Sequence, residues 1–128
     1  MAVRGVRGAV TVDENRPEAI LQATRDLLEA MVGANPTLQP VDIASALFTT
    51  TSDLDTAYPA RAARVLGWGQ VPLMCAQEIA VADGLPRCIR ILLHWNTELQ
   101  PHEIHHVYLG KAASLRPDLA GDPARYID

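Results

Sequence analysis

Apolar side chains recur along the chain with two different periods, and each period predicts a different kind of element. Residues 87–95 alternate most regularly between apolar and other side chains, which predicts a strand. Residues 15–31 carry apolar side chains at helical spacing, which predicts an amphipathic helix whose apolar face lies in the core. The two faces of the predicted strand carry Ile89, Ile91 and Leu93 on one side, and Cys88, Arg90, Leu92 and His94 on the other.

Capping and breaking residues suggest where the helices begin and end. Asn15 is a candidate N-cap for the long helix, and Gly33 with Pro36 is expected to end it. A second, shorter helix is predicted over residues 59–66, with Gly67 just past its end.

Four further stretches predict strands, and short helical turns are expected after Pro40, Pro101 and Gly110. Pro72 lies within one predicted strand and indicates a sheet edge or a bulge, because proline has no amide hydrogen for a ladder. The order of elements predicts one α+β or mixed α/β domain over residues 1–128, a mixed sheet with helices on one face. The tail from Pro117 is expected to be loosely held. The four strands are predicted at residues 3–12, 44–51, 70–78 and 106–109.

The composition narrows the classes of partner. With 128 residues and a formal net charge of −4, the chain fits one domain and has no general affinity for nucleic acid or an anionic membrane. An anionic ligand therefore needs a local cluster of arginines. Cys75 and Cys88 form neither a disulfide framework nor a metal-type C-x-x-C pair. No apolar run approaches the about 20 residues of a membrane span, and no signal-peptide pattern opens the chain, so we expect a soluble, cytoplasmic protein.

Several stretches, taken in order, form a set that is more specific than any single motif. The stretches are VRGVRGA (3–9), AILQAT (19–24), DL (53–54), YPA (58–60), VPL (71–73), CAQE (75–78), LPRCIR (85–90), HVYL (106–109) and LRPDL (115–119). As a set they resemble the AroH-type monofunctional chorismate mutases, and the resemblance extends from Arg4 to Leu119.

This resemblance implies a fold, a reaction and an assembly. The fold is a homotrimer of α/β subunits whose sheets pack into a pseudo-barrel, with an active site at each subunit interface. The reaction is the rearrangement of chorismate to prephenate in the shikimate pathway of aromatic amino acid biosynthesis. It is an isomerase reaction within one molecule, without a covalent intermediate, a metal or a cofactor.

The resemblance also implies roles for individual residues. Arg7 corresponds to the arginine that grips a substrate carboxylate, and Arg90 to the one beside the ether oxygen. Glu78, with Cys75 nearby, corresponds to the acceptor of the substrate hydroxyl, and Tyr108 to a carboxylate contact. The other residues implied to bind substrate line the pocket (Tyr58, Leu73 and Met74) or its mouth (Arg61, Arg64, Leu115 and Arg116).

Arginine suits this reaction on physical grounds. The C–O bond breaks ahead of C–C bond formation, so negative charge builds on the ether oxygen and a fixed donor can stabilise it. Arginine stays charged, and its planar fork can bond a carboxylate and another oxygen at once.

Other interpretations fit parts of the pattern. Without the resemblance, Arg90 would be read as a solvated surface charge. His102, His105 and His106 are clustered but match neither H-E-x-x-H nor a mixed Cys/His metal pattern. A trimeric protein of YjgF-like architecture, which binds small metabolites or hydrolyses imines, is the alternative function. The combination of Arg7, Glu78 and Arg90 favours the mutase, because it suits a dianion that carries a hydroxyl.

Overall fold

The computed structural model describes residues 1–114, and within them the predicted helices and strands occur in the predicted order. Three short 3-10 helices lie where helical turns were expected: Pro40–Asp42, Pro101–Glu103 and Gly110–Ser114. The strands and helices are β1 (Ala2–Thr11), α1 (Pro17–Ala34), β2 (Ile43–Thr50), α2 (Ala60–Val65), β3 (Leu73–Gln77), β4 (Cys88–Thr97) and β5 (Val107–Leu109).

The five strands form one mixed sheet in the order β3-β2-β4-β1-β5. The central strand β4 runs antiparallel to both of its neighbours, β1 and β2. The outer strands β3 and β5 are each parallel to the strand beside them. Pro72 precedes β3, an edge strand, and its carbonyl accepts a hydrogen bond from the amide of Ala46 at 3.0 Å. The predicted edge position is confirmed, but Pro72 lies before the strand and not within it, because β3 begins at Leu73.

The core lies between one face of the sheet and the helix α1, with α2 packed beside α1. Ile89, Ile91 and Leu93 of β4 are buried there, as their alternation predicts. Gly8 on β1 lies under α1, where a Cβ atom at this position would overlap the sulfur of Met31. The mixed α+β architecture with helices on one face is confirmed, and β4 is its central strand.

The helix α1 does not begin as predicted. Arg16, and not Asn15, occupies the N-cap position, and it makes no capping hydrogen bond through its side chain. The side-chain amide of Asn15 instead donates to the carboxylate of Asp55 at 2.8 Å. Its side-chain oxygen accepts from the backbone amide of Asp55 and from the hydroxyl of Thr56. The N-cap prediction is therefore wrong, because the side chain of Asn15 ties the start of α1 to the loop after β2.

The end of α1 also differs from the prediction. Gly33 lies inside the helix, which ends at Ala34 with Asn35 as its C-cap residue. The buried side-chain amide of Asn35 donates to the carbonyl oxygens of Met31 and His105, and its oxygen accepts from the amide of His105. Asn35 thus caps the last turn and holds the segment before β5, which the glycine signal did not reveal.

The short helix α2 ends as predicted. Gly67 follows it with a φ of +92°, a left-handed conformation that favours glycine. In the part of the chain that the structure describes, no helix has the length and apolar character to cross a membrane.

Candidate active site

An ion pair between Arg90 and Glu78 lies on the face of the sheet opposite the helices. The Nε atom of Arg90 is 3.2 Å from Oε1 of Glu78, and the two side chains are 27% and 25% exposed. Because β4 alternates, Arg90 points away from the core that its neighbours Ile89 and Ile91 enter. We call this side of the sheet the open face; the placement of Arg90 on it agrees with the strand period.

Arg7 reaches the same region from the neighbouring strand. In the β1–β4 ladder, Arg7 lies opposite Leu92 and Ala9 lies opposite Arg90. Arg7 and Arg90 are therefore diagonal neighbours on one face, a relation that places Cβ atoms about 7 Å apart. Both arginines and Glu78 line one cavity of about 260 Å³ on the open face. The structure thus brings together two cations and one carboxylate that lie far apart in sequence.

Glu78 is placed by the end of the edge strand β3. Its amide donates to the carbonyl of Thr50 at 2.8 Å, which fixes its backbone against β2. Its side-chain atom Oε1 accepts a short hydrogen bond from the hydroxyl of Thr49, which lines the same cavity. The sequence analysis did not single out Thr49. Its position opposite Arg90 depends on strand register, which one sequence does not reveal.

Tyr108 lies farther along the open face. It pairs with Ala9 in the parallel β1–β5 ladder, so Ala9 separates it from Arg90 in one row across the sheet. Its hydroxyl oxygen is shielded from solvent. The ring packs against a small buried cluster formed by Ala9, Cys88 and Ala112. Cys88 is therefore a packing residue beside the site.

A second and larger cavity, of about 570 Å³, opens at the β3 edge beside α2. Tyr58, Arg61 and Cys75 belong to its lining. Cys75 also packs against the main core, on the helix side of β3, as Leu73 does. Cys75 and Glu78 therefore face different cavities, although the resemblance places them close together.

The remaining predicted site residues are more dispersed. Met74 lies on the open face of β3, opposite Leu47, and is 68% exposed. Arg64 is exposed on α2, outside the lining of the cavity that Arg61 enters. Leu115 and Arg116, like the tail from Pro117, lie outside the described residues.

His106 makes a contact that the sequence analysis did not foresee. Its ring atom Nδ1 accepts a hydrogen bond from the backbone amide of Arg7 at 2.9 Å. The contact joins the start of β5 to the part of β1 that carries Arg7. Within residues 1–114, no group of three or more His, Cys, Asp or Glu side chains is placed to hold a metal ion.

The turn that leads into β4 is fixed by a carboxylate. Arg87 has a φ of +46°, and its amide donates to both carboxylate oxygens of Asp53, at 3.1 and 3.0 Å. Partial burial alone would raise the pKa of Asp53. Hydrogen bonds from Thr51 and from the Arg87 amide, with the charge of Arg87, instead hold that pKa below its ordinary 3.8. The entry to the strand of Arg90 is thus fixed three residues before it.

Comparison of the sequence with known proteins identifies similar chains. The family model described as chorismate mutase type I matches residues 3–119. The chorismate mutase AroH of Thermus thermophilus is 51% identical over 117 residues, which cover 91% of this chain and 96% of that protein. The chorismate mutase AroH of Bacillus subtilis (strain 168) is 45% identical over 121 residues, 94% of each chain.

A solved structure agrees with these sequences. The chorismate mutase Cth-682 from Clostridium thermocellum superimposes with a TM-score of 0.82 at 45% sequence identity, covering 84% of this chain and 96% of that one. The structural similarity and the sequence matches therefore indicate the same family. The chain belongs to the chorismate mutase type I family.

Proposed function

We propose that this protein is an isomerase that converts chorismate to prephenate, a step of aromatic amino acid biosynthesis. The observation that carries the proposal is the cavity on the open face, which Arg7, Glu78 and Arg90 line together in a member of this family. Two guanidinium groups and one carboxylate match a substrate with two carboxylates, an ether oxygen and a hydroxyl. The family match over residues 3–119 favours this function over a YjgF-like binding protein.

The reaction itself explains why such a simple set of groups suffices. The ether C–O bond breaks and a C–C bond forms within one molecule, so no proton, electron or group passes to the protein. The protein must hold the folded, diaxial conformer and stabilise the negative charge that builds on the ether oxygen. Pre-alignment of the reacting atoms and fixed donors aimed at the developing charge are the two available means.

We assign a role to each charged residue of the cavity and to Tyr108, which lies farther along the open face. We assign the ether oxygen to the guanidinium of Arg90, which its ion pair with Glu78 holds in place. Thr49 and Arg90 both contact Oε1 of Glu78, so we assign the substrate hydroxyl to Oε2. Arg7 is assigned to one carboxylate, and Tyr108 to a further carboxylate contact. These assignments keep every charged group of the substrate opposite a complementary group.

The test is an assay of purified protein with chorismate. The ultraviolet absorbance of chorismate should fall at a rate proportional to protein concentration, with prephenate as the product identified by chromatography. The Glu78→Ala variant tests the assigned site, because it removes the carboxylate and retains both arginines, and its rate should lie below that of the wild type. A folded protein whose rate equals the uncatalysed background would refute the proposed function.

We further propose that the active enzyme is a homotrimer in which a neighbouring copy completes each site. Large apolar side chains at or beside the β3 edge are exposed in the single chain: Met74 at 68%, Tyr58 at 76% and Ile79 at 87%. Exposure of this kind marks surfaces that pair with another protein. In this arrangement, the cavity with Tyr58, Arg61 and Cys75 from one copy would face the cavity with Arg7, Glu78 and Arg90 from the next.

Subunit mixing separates this arrangement from a site within one chain. Arg90→Ala and Arg61→Ala each alter a different cavity, so each variant alone should have low activity at chorismate concentrations below KM. Trimers reassembled from both variants should regain activity, because some interfaces then combine two unaltered cavities. Light scattering gives the oligomeric state, and a monomeric mass or an absence of regained activity would contradict the proposal.

The cytoplasmic location expected from the sequence stays a prediction, which fractionation of cells can test. The substrate contacts expected of Leu115 and Arg116 also stay predictions. Their alanine variants should raise KM for chorismate more than they lower kcat, because a mouth residue contributes to binding more than to the rearrangement. An unchanged KM in both variants would contradict this.

A further inference from the structure

The hydroxyl group of Thr49 is hydrogen-bonded to the ion pair of the open-face cavity. Oγ1 of Thr49 donates to Oε1 of Glu78, the same oxygen that lies 3.2 Å from Nε of Arg90. One carboxylate oxygen therefore accepts a hydrogen bond from a residue of β2 and forms an ion pair with a guanidinium on β4. The hydroxyl of Thr49 and the guanidinium of Arg90 both contact this oxygen. Removal of either group should therefore move the carboxylate relative to the group that remains.

The backbone fixes the direction of that hydroxyl. Thr49 lies on β2 directly opposite Arg90 on β4 and opposite Ala76 on β3. The strand is hydrogen-bonded on both sides, and a β-branched side chain has few χ1 rotamers available. Alternation along β2 places Phe48 in the core and Thr49 on the open face. The hydroxyl is thus held toward the cavity with little freedom.

Glu78 has more freedom than its partners. It lies just past the end of β3, an edge strand, and its long side chain has several rotatable bonds. Its amide is tied to the carbonyl of Thr50, while its carboxylate is tied to the hydroxyl of Thr49. Two adjacent residues of β2 therefore hold the two ends of Glu78.

We propose that Thr49 is a positioning residue that sets the carboxylate of Glu78, and through it the guanidinium of Arg90. This inference rests on the proposed function, since it concerns the geometry of the same site. The hydroxyl keeps Oε1 between Thr49 and Arg90 and directs Oε2 toward the bound substrate. Without it, Glu78 samples other rotamers, and the guanidinium of Arg90 follows its partner away from the ether oxygen.

The experiment replaces Thr49 by valine, which keeps the shape and removes the hydroxyl, and by serine, which keeps the hydroxyl. A hydrogen bond to a charged group of this kind leads us to expect about a tenfold or greater fall in kcat for Thr49→Val. Thr49→Ser should recover most of that loss. The matched control is Ser45→Ala, which removes a hydroxyl bonded to His94 from the same face of β2 at 3.0 Å and should leave kcat unchanged.

A double-mutant cycle distinguishes positioning from a merely structural role. If Thr49 acts through Glu78, then Thr49→Val should have no further effect on kcat in a Glu78→Ala background. An equal loss in both backgrounds would overturn the inference, as would a normal kcat for Thr49→Val. Thermal melting checks that each variant is folded, and Thr49→Ala replaces the valine variant if valine prevents folding. A wild-type protein without activity on chorismate would overturn the proposed function instead.

Discussion

Removal of the Arg90 side chain is the sharpest test of the open-face site. In Arg90→Ala the guanidinium and its ion pair with Glu78 are lost, while the backbone of β4 and its core residues are unchanged. Glu78 keeps its hydrogen bond from Thr49, so the carboxylate still has a donor. The variant should therefore fold, and the substitution should lower the rate of the reaction rather than prevent folding.

Two magnitudes follow from the geometry. Loss of one fixed donor aimed at developing charge should lower kcat by about 10²- to 10³-fold. Arg90 and Glu78 are about a quarter exposed, between an exposed ion pair and a fully buried one. Loss of the pair should therefore lower the free energy of unfolding by about 1–3 kcal/mol. Arg90→Lys keeps a charge but not the planar fork, so its rate should lie between those of Arg90→Ala and the wild type.

The assay is continuous loss of chorismate absorbance, combined with thermal unfolding of each variant. Arg25→Ala is the matched control, because it removes an arginine paired with Glu29 at 2.8 Å on the exposed side of α1. Its kcat should equal that of the wild type. A folded Arg90→Ala variant whose kcat lies within a few fold of the wild-type value would refute the role assigned to Arg90.

Three further predictions concern the surroundings of the site. Gly8→Ala should lower the free energy of unfolding by about 1–3 kcal/mol, since its methyl group would overlap the sulfur of Met31, which is fully buried on α1; an unchanged denaturation midpoint would contradict this. The pKa of Asp53 lies below its ordinary 3.8, so its ionised form adds stability that is present above that pH and lost as the pH falls through the lower pKa of the folded state. Asp53→Asn should therefore flatten the acid limb of a plot of Tm against pH, and an unaltered limb would exclude the contribution. His106→Leu removes the acceptor for the amide of Arg7 and should cost about 1 kcal/mol of stability. His106→Asn can restore an acceptor and should recover part of that loss in the same denaturation experiment, whereas equal losses would contradict the role of the ring nitrogen.

Most of the fold could be predicted because the core residues recur in the sequence with the period of a strand or a helix. Ile89, Ile91 and Leu93 alternate in sequence and are buried together, and the apolar face of α1 packs on them. The ends of α1 could not be predicted from local signals, because tertiary contacts override them. Asn15 bonds to a loop forty residues away, and Asn35 bonds to the backbone of His105.

The candidate site was predictable to a different extent. The period of β4 gives the face of Arg90, but its proximity to Arg7 depends on the antiparallel register of two strands that lie far apart in the sequence. Glu78 lies past the end of its strand, where no period applies. Thr49 and His106 contribute through hydrogen bonds across strands, and those contacts exist only after the sheet has formed. The resemblance to a known family implied that Arg7, Glu78 and Arg90 share one site, but it indicated neither Thr49 nor the contact of His106.

The turn before β4 shows how a local conflict in the sequence can serve the site. Arg87 adopts a left-handed φ that a residue with a Cβ atom rarely takes, so the surrounding structure must hold it there. The carboxylate of Asp53 accepts hydrogen bonds from the amide of Arg87, and Nε of Arg87 donates to the carbonyl of Val12 at 2.9 Å. These contacts tie the start of β4 to the end of β1 and to the loop after β2. Because Arg90 follows three residues later, a slip of this turn by one residue would carry its side chain into the core face. The strained turn therefore adds to the β1–β4 and β2–β4 ladders in fixing the register on which the ion pair with Glu78 depends.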